Sequence, residues 1–343
     1  MGAVSAQPLS QPTAQASPAR RLRSWADIVI NPTPLVMSRI ALAGVIASTL
    51  IIWTGGAVRL SESGLGCTTW PKCTSASLVA AGATGDPLIH RWVEFGNRLA
   101  TALIFAIAVV VLVAAWRFRD RSAGRRRRDL IWLACAQPAG IAAQALIGGI
   151  VVLTKLAPFW VSLHFIATLP VLAAAVVLHV RCSEGTGKPT RLVQPMVLVV
   201  ARALLVVTGA MVLAGTLVTG AGPLAGAADV QRYHFMSLTA VTLLHADIGW
   251  VLGTAAVMLV LCLHLTQAPR RAVRVGWIVL GLIAAQGAIG YAQYFSGLPA
   301  GLVWIHVAIS ALIWIAVIRL NLALRDRGTI ADATRLPESS AVR

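Results

Sequence analysis

Charge is what this sequence has least of: only 12% of its 343 residues are Asp, Glu, Lys or Arg, against about a quarter in an ordinary soluble domain. With 57% of the residues apolar, water is not the main solvent of this chain. Acids are scarcer still, 12 against 29 Lys and Arg, which leaves a formal net charge of +17. That excess raises nucleic acid as a partner until the bases are located. The first 24 residues lack the apolar core of a signal peptide. Rich in Gln, Ser, Pro and Ala, they read as the disordered part of a cytoplasmic tail, 1–36. A second tail, 323–343, is polar and unpatterned from Asp326 onward. Neither tail suggests a further domain.

A helix needs about 20 apolar residues to cross a hydrocarbon core of about 30 Å. Eight runs qualify: 37–58, 95–116, 129–152, 160–180, 195–219, 237–263, 273–294 and 301–322. The predicted fold class is therefore all-α integral membrane, with eight transmembrane helices. Links after the first, third and fifth runs hold few bases (Arg59, Lys72, Arg91; Lys155; Arg232), and the link after the seventh holds none. The opposite links hold Arg117, Arg119, Arg121, Arg125, Arg126, Arg127 and Arg128, then Arg181, Lys188 and Arg191, then Arg270, Arg271 and Arg274. Arg325 and Arg327 follow the last span. The positive-inside rule places both termini in the cytoplasm. An arginine block between two spans is explained more simply by topology than by nucleic acid or anionic lipid. The expected setting is a membrane crossed several times, with lipid and not nucleic acid as the surrounding partner.

Cys67 and Cys73 fall in the first outer loop, in GCTTWPKC, where an oxidising environment lets a disulfide persist. The alternative, a metal site, has only two thiolates and no histidine close in sequence.

The sequence repeats internally. AQALIGGIVVLTKLAPFWVSLH (143–164) aligns without gaps with AQGAIGYAQYFSGLPAGLVWIH (285–306), pairing Gln144 with Gln286, Gly148 with Gly290 and His164 with His306. More weakly, TGGAVRLSESGLG (54–66) repeats as AGTLVTGAGPLAG (214–226). Four helices per repeat is an even number, so both halves cross the membrane in the same sense, a parallel repeat. Two pseudo-symmetric four-helix bundles are expected, 37–180 and 195–322.

Seven histidines occur. His179 and His264 lie at cytoplasmic helix ends, where a solvated or snorkelling role suffices, and His234 is in an outer loop. His164, His245 and His306 lie one to two turns inside the outer ends of their helices, in VSLHFIA, TLLHADIG and VWIHVAI. An ionisable group in that position is a functional candidate by default. One such histidine could equally hydrogen-bond a neighbouring helix. Three at one depth, two of them at matching repeat positions, favour ligands. Two imidazoles from facing helices that clamp one iron are what a b-type heme in a bundle requires, and His245 and His306 on spans six and eight would form that pair.

The second span reads DPLIHRWVEFGNRLATALI. Asp86 and Pro87 suit an N-cap and first helical residue, so about two turns should project beyond the bilayer. On that projection His90, Glu94 and Asn97 recur at spacings of four and three, which puts them on one face. A carboxylate facing a bound substrate can act as a base or stabilise a developing cation. The plainer alternative is a solvated acid paired with Arg91 or Arg98.

At GGAVRLSESGLGCTTWPKC, VEFGNR, the glutamine-to-histidine repeat and LLHADIGW the chain resembles the heme A synthase family, from about Ser38 to Asn321. In general look it is nearest to actinobacterial members, which implies a bacterial cell membrane as its setting. The resemblance implies an oxidoreductase that oxidises a methyl group of heme O to the formyl group of heme A, for cytochrome oxidase assembly. It implies heme b as cofactor on His245 and His306, and a heme O site in the N-terminal bundle with His164 as one ligand and Glu94 as the catalytic acid. Heme O synthase and a separate electron donor are the implied partners, and the Cys67–Cys73 disulfide matches one form of the family. Where the common motif has a histidine three residues after the glutamate, this chain has Asn97, and an amide is no substitute for imidazole as an iron ligand. His90, two turns earlier, is then the candidate replacement, or Asn97 hydrogen-bonds an iron-bound water. The rival from a different class is an electron-transfer cytochrome b subunit, which would need two permanent bis-histidine hemes and no Glu94. A proton-coupled transporter is the other, and it would place its polar groups near the bilayer midplane.

Overall fold

The computed structural model describes residues 32–80, 88–119, 126–328 and 330. Most of both predicted tails, and Asp86, Pro87, Arg121 and Arg125, lie outside the described residues.

Within them, helices α1 (Pro34–Leu60), α2 (Leu88–Arg117), α3 (Arg128–Leu153), α4 (Pro158–Ile166), α5 (Thr168–Arg181), α6 (Pro195–Ala221), α7 (Leu238–Leu265), α8 (Arg270–Phe295) and α9 (Ala300–Ala323) make eight spans long and apolar enough to cross a membrane. The protein is an all-helical, multi-pass membrane protein. Thr33 caps α1 by accepting the Val36 N–H at 3.3 Å, ahead of Pro34, the side-chain cap and N1 proline that start a helix cleanly. Helix α2 is 30 residues long and starts seven residues before the hydrophobic run predicted for it, consistent with an extension beyond the bilayer.

The fourth span departs from expectation. A single helix over 160–180 was predicted, whereas the span breaks at Ala167 into α4 and α5. Pro170 accounts for this, because it has no N–H to give the carbonyl of Ile166 and its ring crowds that same carbonyl. His164 therefore sits in the last turn of a short outer segment.

Helix α1 packs on α2 and α5, α2 on α3, and α3 on α4 and α5; in the other half α6 packs on α7 and α9, α7 on α8 and α8 on α9. Each half thus closes as a ring of four spans. The halves meet where α9 contacts α1 and α5, and where α4 contacts α6. Many of the most buried positions are alanine, among them Ala41, Ala114, Ala134, Ala175, Ala201 and Ala272. Small residues let backbones approach closely where lipid offers no hydrophobic driving force.

At the end opposite the first outer loop, bases that the sequence reading assigned to topology are also structural. Arg127 and Arg181 are buried and share Asp129, Arg181 also pairs with Glu184, and Arg325 reaches Glu184 at 3.3 Å. A two-residue strand β1 (Thr190–Arg191) pairs antiparallel with β2 (Arg325–Asp326), tying the link between halves to the segment after α9. Arg181→Ala takes one partner from each of two carboxylates, leaving Asp129 to Arg127 and Glu184 to Arg325. Since Asp129 is itself partly exposed, the expected loss is about 1–3 kcal/mol, readable as a lowered thermal midpoint in detergent; an unchanged midpoint would dismiss the network as decoration. Beside it, burial pushes the Cys182 thiol up to about 12, so this cysteine is inert as a nucleophile.

Candidate functional site

In the C-terminal half His245 of α7 and His306 of α9 face each other, with ring centroids 6.1 Å apart and planes inclined at 56°. Each ring lies against a glycine of the neighbouring helix. A Cβ on Gly215 would stand 3.2 Å from His245 Cε1, and one on Gly290 3.3 Å from His306 Cε1. Both Nδ1 atoms are buried with no hydrogen-bond partner among the described residues, an orphaned state that native interiors avoid unless a further group completes the site. Gln286 Nε2 donates to the His306 carbonyl at 2.9 Å, fixing that turn of α9. Two metal–imidazole bonds of about 2 Å and two ring radii of about 1.1 Å put coaxial ligand rings about 6 Å apart. The observed spacing fits an iron clamped between these rings.

In the N-terminal half His164 repeats half of this arrangement. Its Cε1 is 3.2 Å from a Cβ on Gly148, and its Nδ1 is likewise buried without a partner among the described residues. The face of α2 carrying His90, Glu94 and Asn97 turns to α1 and the loop that follows it. His90 Nδ1 bonds the Ser63 hydroxyl at 2.8 Å, and Asn97 Oδ1 accepts from the Thr54 hydroxyl at 2.8 Å.

Glu94 is buried, not solvated: one oxygen accepts the Cys67 N–H at 2.7 Å and the other pairs with Arg98 at 2.5 Å. Arg98 also donates to the carbonyls of Thr69 and Lys72, each at 3.1 Å, and of Cys67 at 3.4 Å. The pairing offered as the plain alternative is present, but inside a latch. Cys67 and Cys73 are joined by a disulfide, which removes the metal-site alternative for them, and Trp70 between them packs against Gly149 of α3. The outer loops of the two halves are knitted together as well. Gly64 N–H donates to the Gly226 carbonyl at 3.0 Å, and Arg59 reaches the carbonyls of Leu224 at 2.9 Å and Thr219 at 2.6 Å.

The remaining polar histidines are ordinary. His179 bonds Ser38 of α1, and His264 Nε2 accepts from Trp277 Nε1 at 3.0 Å.

The family described as cytochrome oxidase assembly protein matches residues 38–318, nearly the whole span of the two bundles. The chain belongs to this assembly family. Its similar relatives include proteins named heme A synthase from Geobacillus thermodenitrificans (34% identity over 100 residues, 28% of this chain and 30% of the relative) and Methylobacterium radiotolerans (32% over 168 residues, 46% and 43%). Another, from Oceanobacillus iheyensis, is 27% identical over 131 residues, 38% of each chain. These matches span less than half the length of each relative.

In this assembly-family chain several site residues escaped the sequence reading. Gly148 and Gly290 were aligned as partners in the repeat, yet each precedes its histidine by sixteen positions, a spacing that signals a ring seated on the preceding helix. Gly215 had only the weaker repeat to mark it. Arg98 was seen as a counter-ion and not as the loop's main anchor, because its three carbonyl partners come from an irregular segment without a pattern of its own.

Proposed function

We propose that this chain is a heme A synthase, oxidising a methyl group of heme O to a formyl group to give heme A for cytochrome oxidase assembly. The observation that carries the reading is the inequality of the two bundles. One has a two-histidine clamp; the other has a single histidine with a buried acid on the helix opposite. A cofactor that must stay and a substrate that must leave call for such a difference.

In this reading the C-terminal bundle, 195–322, holds heme b on His245 and His306, and the N-terminal bundle, 37–180, receives heme O on His164. Heme b, when bound there, supplies one-electron transfer. Trp304, two residues before His306, donates to the Trp53 carbonyl of α1 at 2.8 Å, and Trp53 donates to the Ala308 carbonyl at 3.2 Å. This belt closes the gap between the halves at the level of the sites. Glu94 holds a buried carboxylate at the outer edge of the substrate bundle, suited to stabilising positive charge as the methyl carbon is oxidised. The disulfide loop that Glu94 and Arg98 hold keeps water from that edge. Both termini face the cytoplasm, and heme O synthase and an electron donor serve the chain from outside.

The cytochrome reading shares the His245–His306 clamp but lacks a second one. Expression beside a heme O synthase, followed by extraction and chromatography of the hemes, separates the two. Heme A is the expected product; heme O accumulating unchanged, with heme b bound, would make the chain a cytochrome.

A further inference from the structure

Three glycine positions facing ligand sites are filled by imidazole: Gly148 by His164, Gly215 by His245 and Gly290 by His306. The fourth, Gly55, aligns with Gly215 in the repeat, and a Cβ built on it meets nothing within 4 Å. The α2 side chain at this level is Asn97, placed by its bond to Thr54, the residue beside Gly55. An imidazole in the same place would occupy the opening as His245 occupies the one at Gly215. His90 lies seven residues before Asn97, about 10 Å nearer the outer end of α2, where its Nδ1 bonds Ser63 of the outer loop.

Resting on the heme A synthase reading, we propose that heme iron in the N-terminal bundle is held by His164 alone, and that Asn97 and Gly55 keep its sixth position open for a small neutral ligand of the water or dioxygen class. The Asn97 carbonyl is taken by Thr54, so its NH2 is the end left to donate. A hydrogen-bond donor beside an open iron position is the feature that separates ligand-binding hemes from electron-transfer hemes. The two sites then differ in kind. The C-terminal iron is closed on both faces by imidazole, and the N-terminal iron is accessible on one.

The test uses the full chain in detergent with its resident heme, titrated with heme b as the probe. The resident heme is expected to be low-spin and indifferent to carbon monoxide. The added equivalent is expected to be high-spin when ferric and to bind carbon monoxide when reduced. Asn97→His should turn that added heme low-spin and weaken its carbon monoxide binding about tenfold or more. Asn97→Leu, which cannot donate, should keep it high-spin while carbon monoxide leaves several-fold faster. An added heme that is low-spin and indifferent to carbon monoxide in the unaltered chain overturns the open position and leaves the synthase reading standing. If the chain holds its resident heme but takes up no second equivalent, the heme-receiving role of the N-terminal bundle falls, and this proposal with it.

Discussion

His245→Ala and His306→Ala are each expected to abolish the low-spin b-type spectrum of the purified protein and with it all heme A formation. The two rings face each other across the bundle, 6.1 Å apart, so in the proposed heme b site loss of either would leave the iron one axial ligand. Disturbing groups that merely orient a metal ligand costs about 10–100-fold in affinity, and removing the ligand itself costs more. Both variants should still fold, because each half is held by a ring of four packed spans from which the substitution removes a single side chain. Elution volume and helical content then serve as controls. Adding imidazole should partly restore the spectrum of either variant, since the truncated side chain leaves a ring-sized space beside Gly215 or Gly290. Gly290→Val makes the same point from the opposite helix, by pushing the His306 ring out of line without touching a ligand. A low-spin spectrum that persists in both alanine variants would locate the cofactor elsewhere.

Much of this architecture is legible in the sequence because a bilayer imposes simple rules. Eight apolar runs became eight spans, and the length of α2 followed from an apolar stretch that continues a helix already under way. The spacing of His90, Glu94 and Asn97 put them on one face, and all three do turn towards α1 and its loop. What that face meets was not legible. GCTTWPKC folds back over α2 through backbone carbonyls and N–H groups, which every residue carries and no pattern marks. The break at Ala167 was missed for a different reason. Hydropathy counts Pro170 as an acceptable membrane residue and is blind to the hydrogen bond it removes. Arg127 and Arg181 were counted as positive-inside charges, yet burial among Asp129 and Glu184 gives them a second role that a charge count cannot distinguish. That His245 and His306 face each other was expected from their common depth and the repeat; the glycines that seat the rings needed the hairpin geometry of α6 with α7 and of α8 with α9.

Glu94→Ala is expected to reduce heme A formation by about 100–1000-fold, the usual effect of deleting one preorganised electrostatic group, while heme b stays bound at His245 and His306. The alanine variant alone does not separate charge from latch, because Glu94 also holds Cys67 and Arg98. Glu94→Gln separates them. Its amide oxygen can still accept from Cys67 N–H or from Arg98, so the loop should stay closed while the negative charge is gone. Arg98→Ala is the complement: the charge remains, but the carbonyls of Cys67, Thr69 and Lys72 lose their donor. Loop closure can be followed independently of activity by the rate at which a soluble thiol reduces the Cys67–Cys73 disulfide. If Glu94 acts through its charge, Glu94→Gln should be nearly as inactive as Glu94→Ala with a slowly reduced disulfide, and Arg98→Ala should show rapid reduction with a smaller loss of activity. Activity that instead follows disulfide exposure across the three variants would reassign Glu94 from the chemistry to the lid over it.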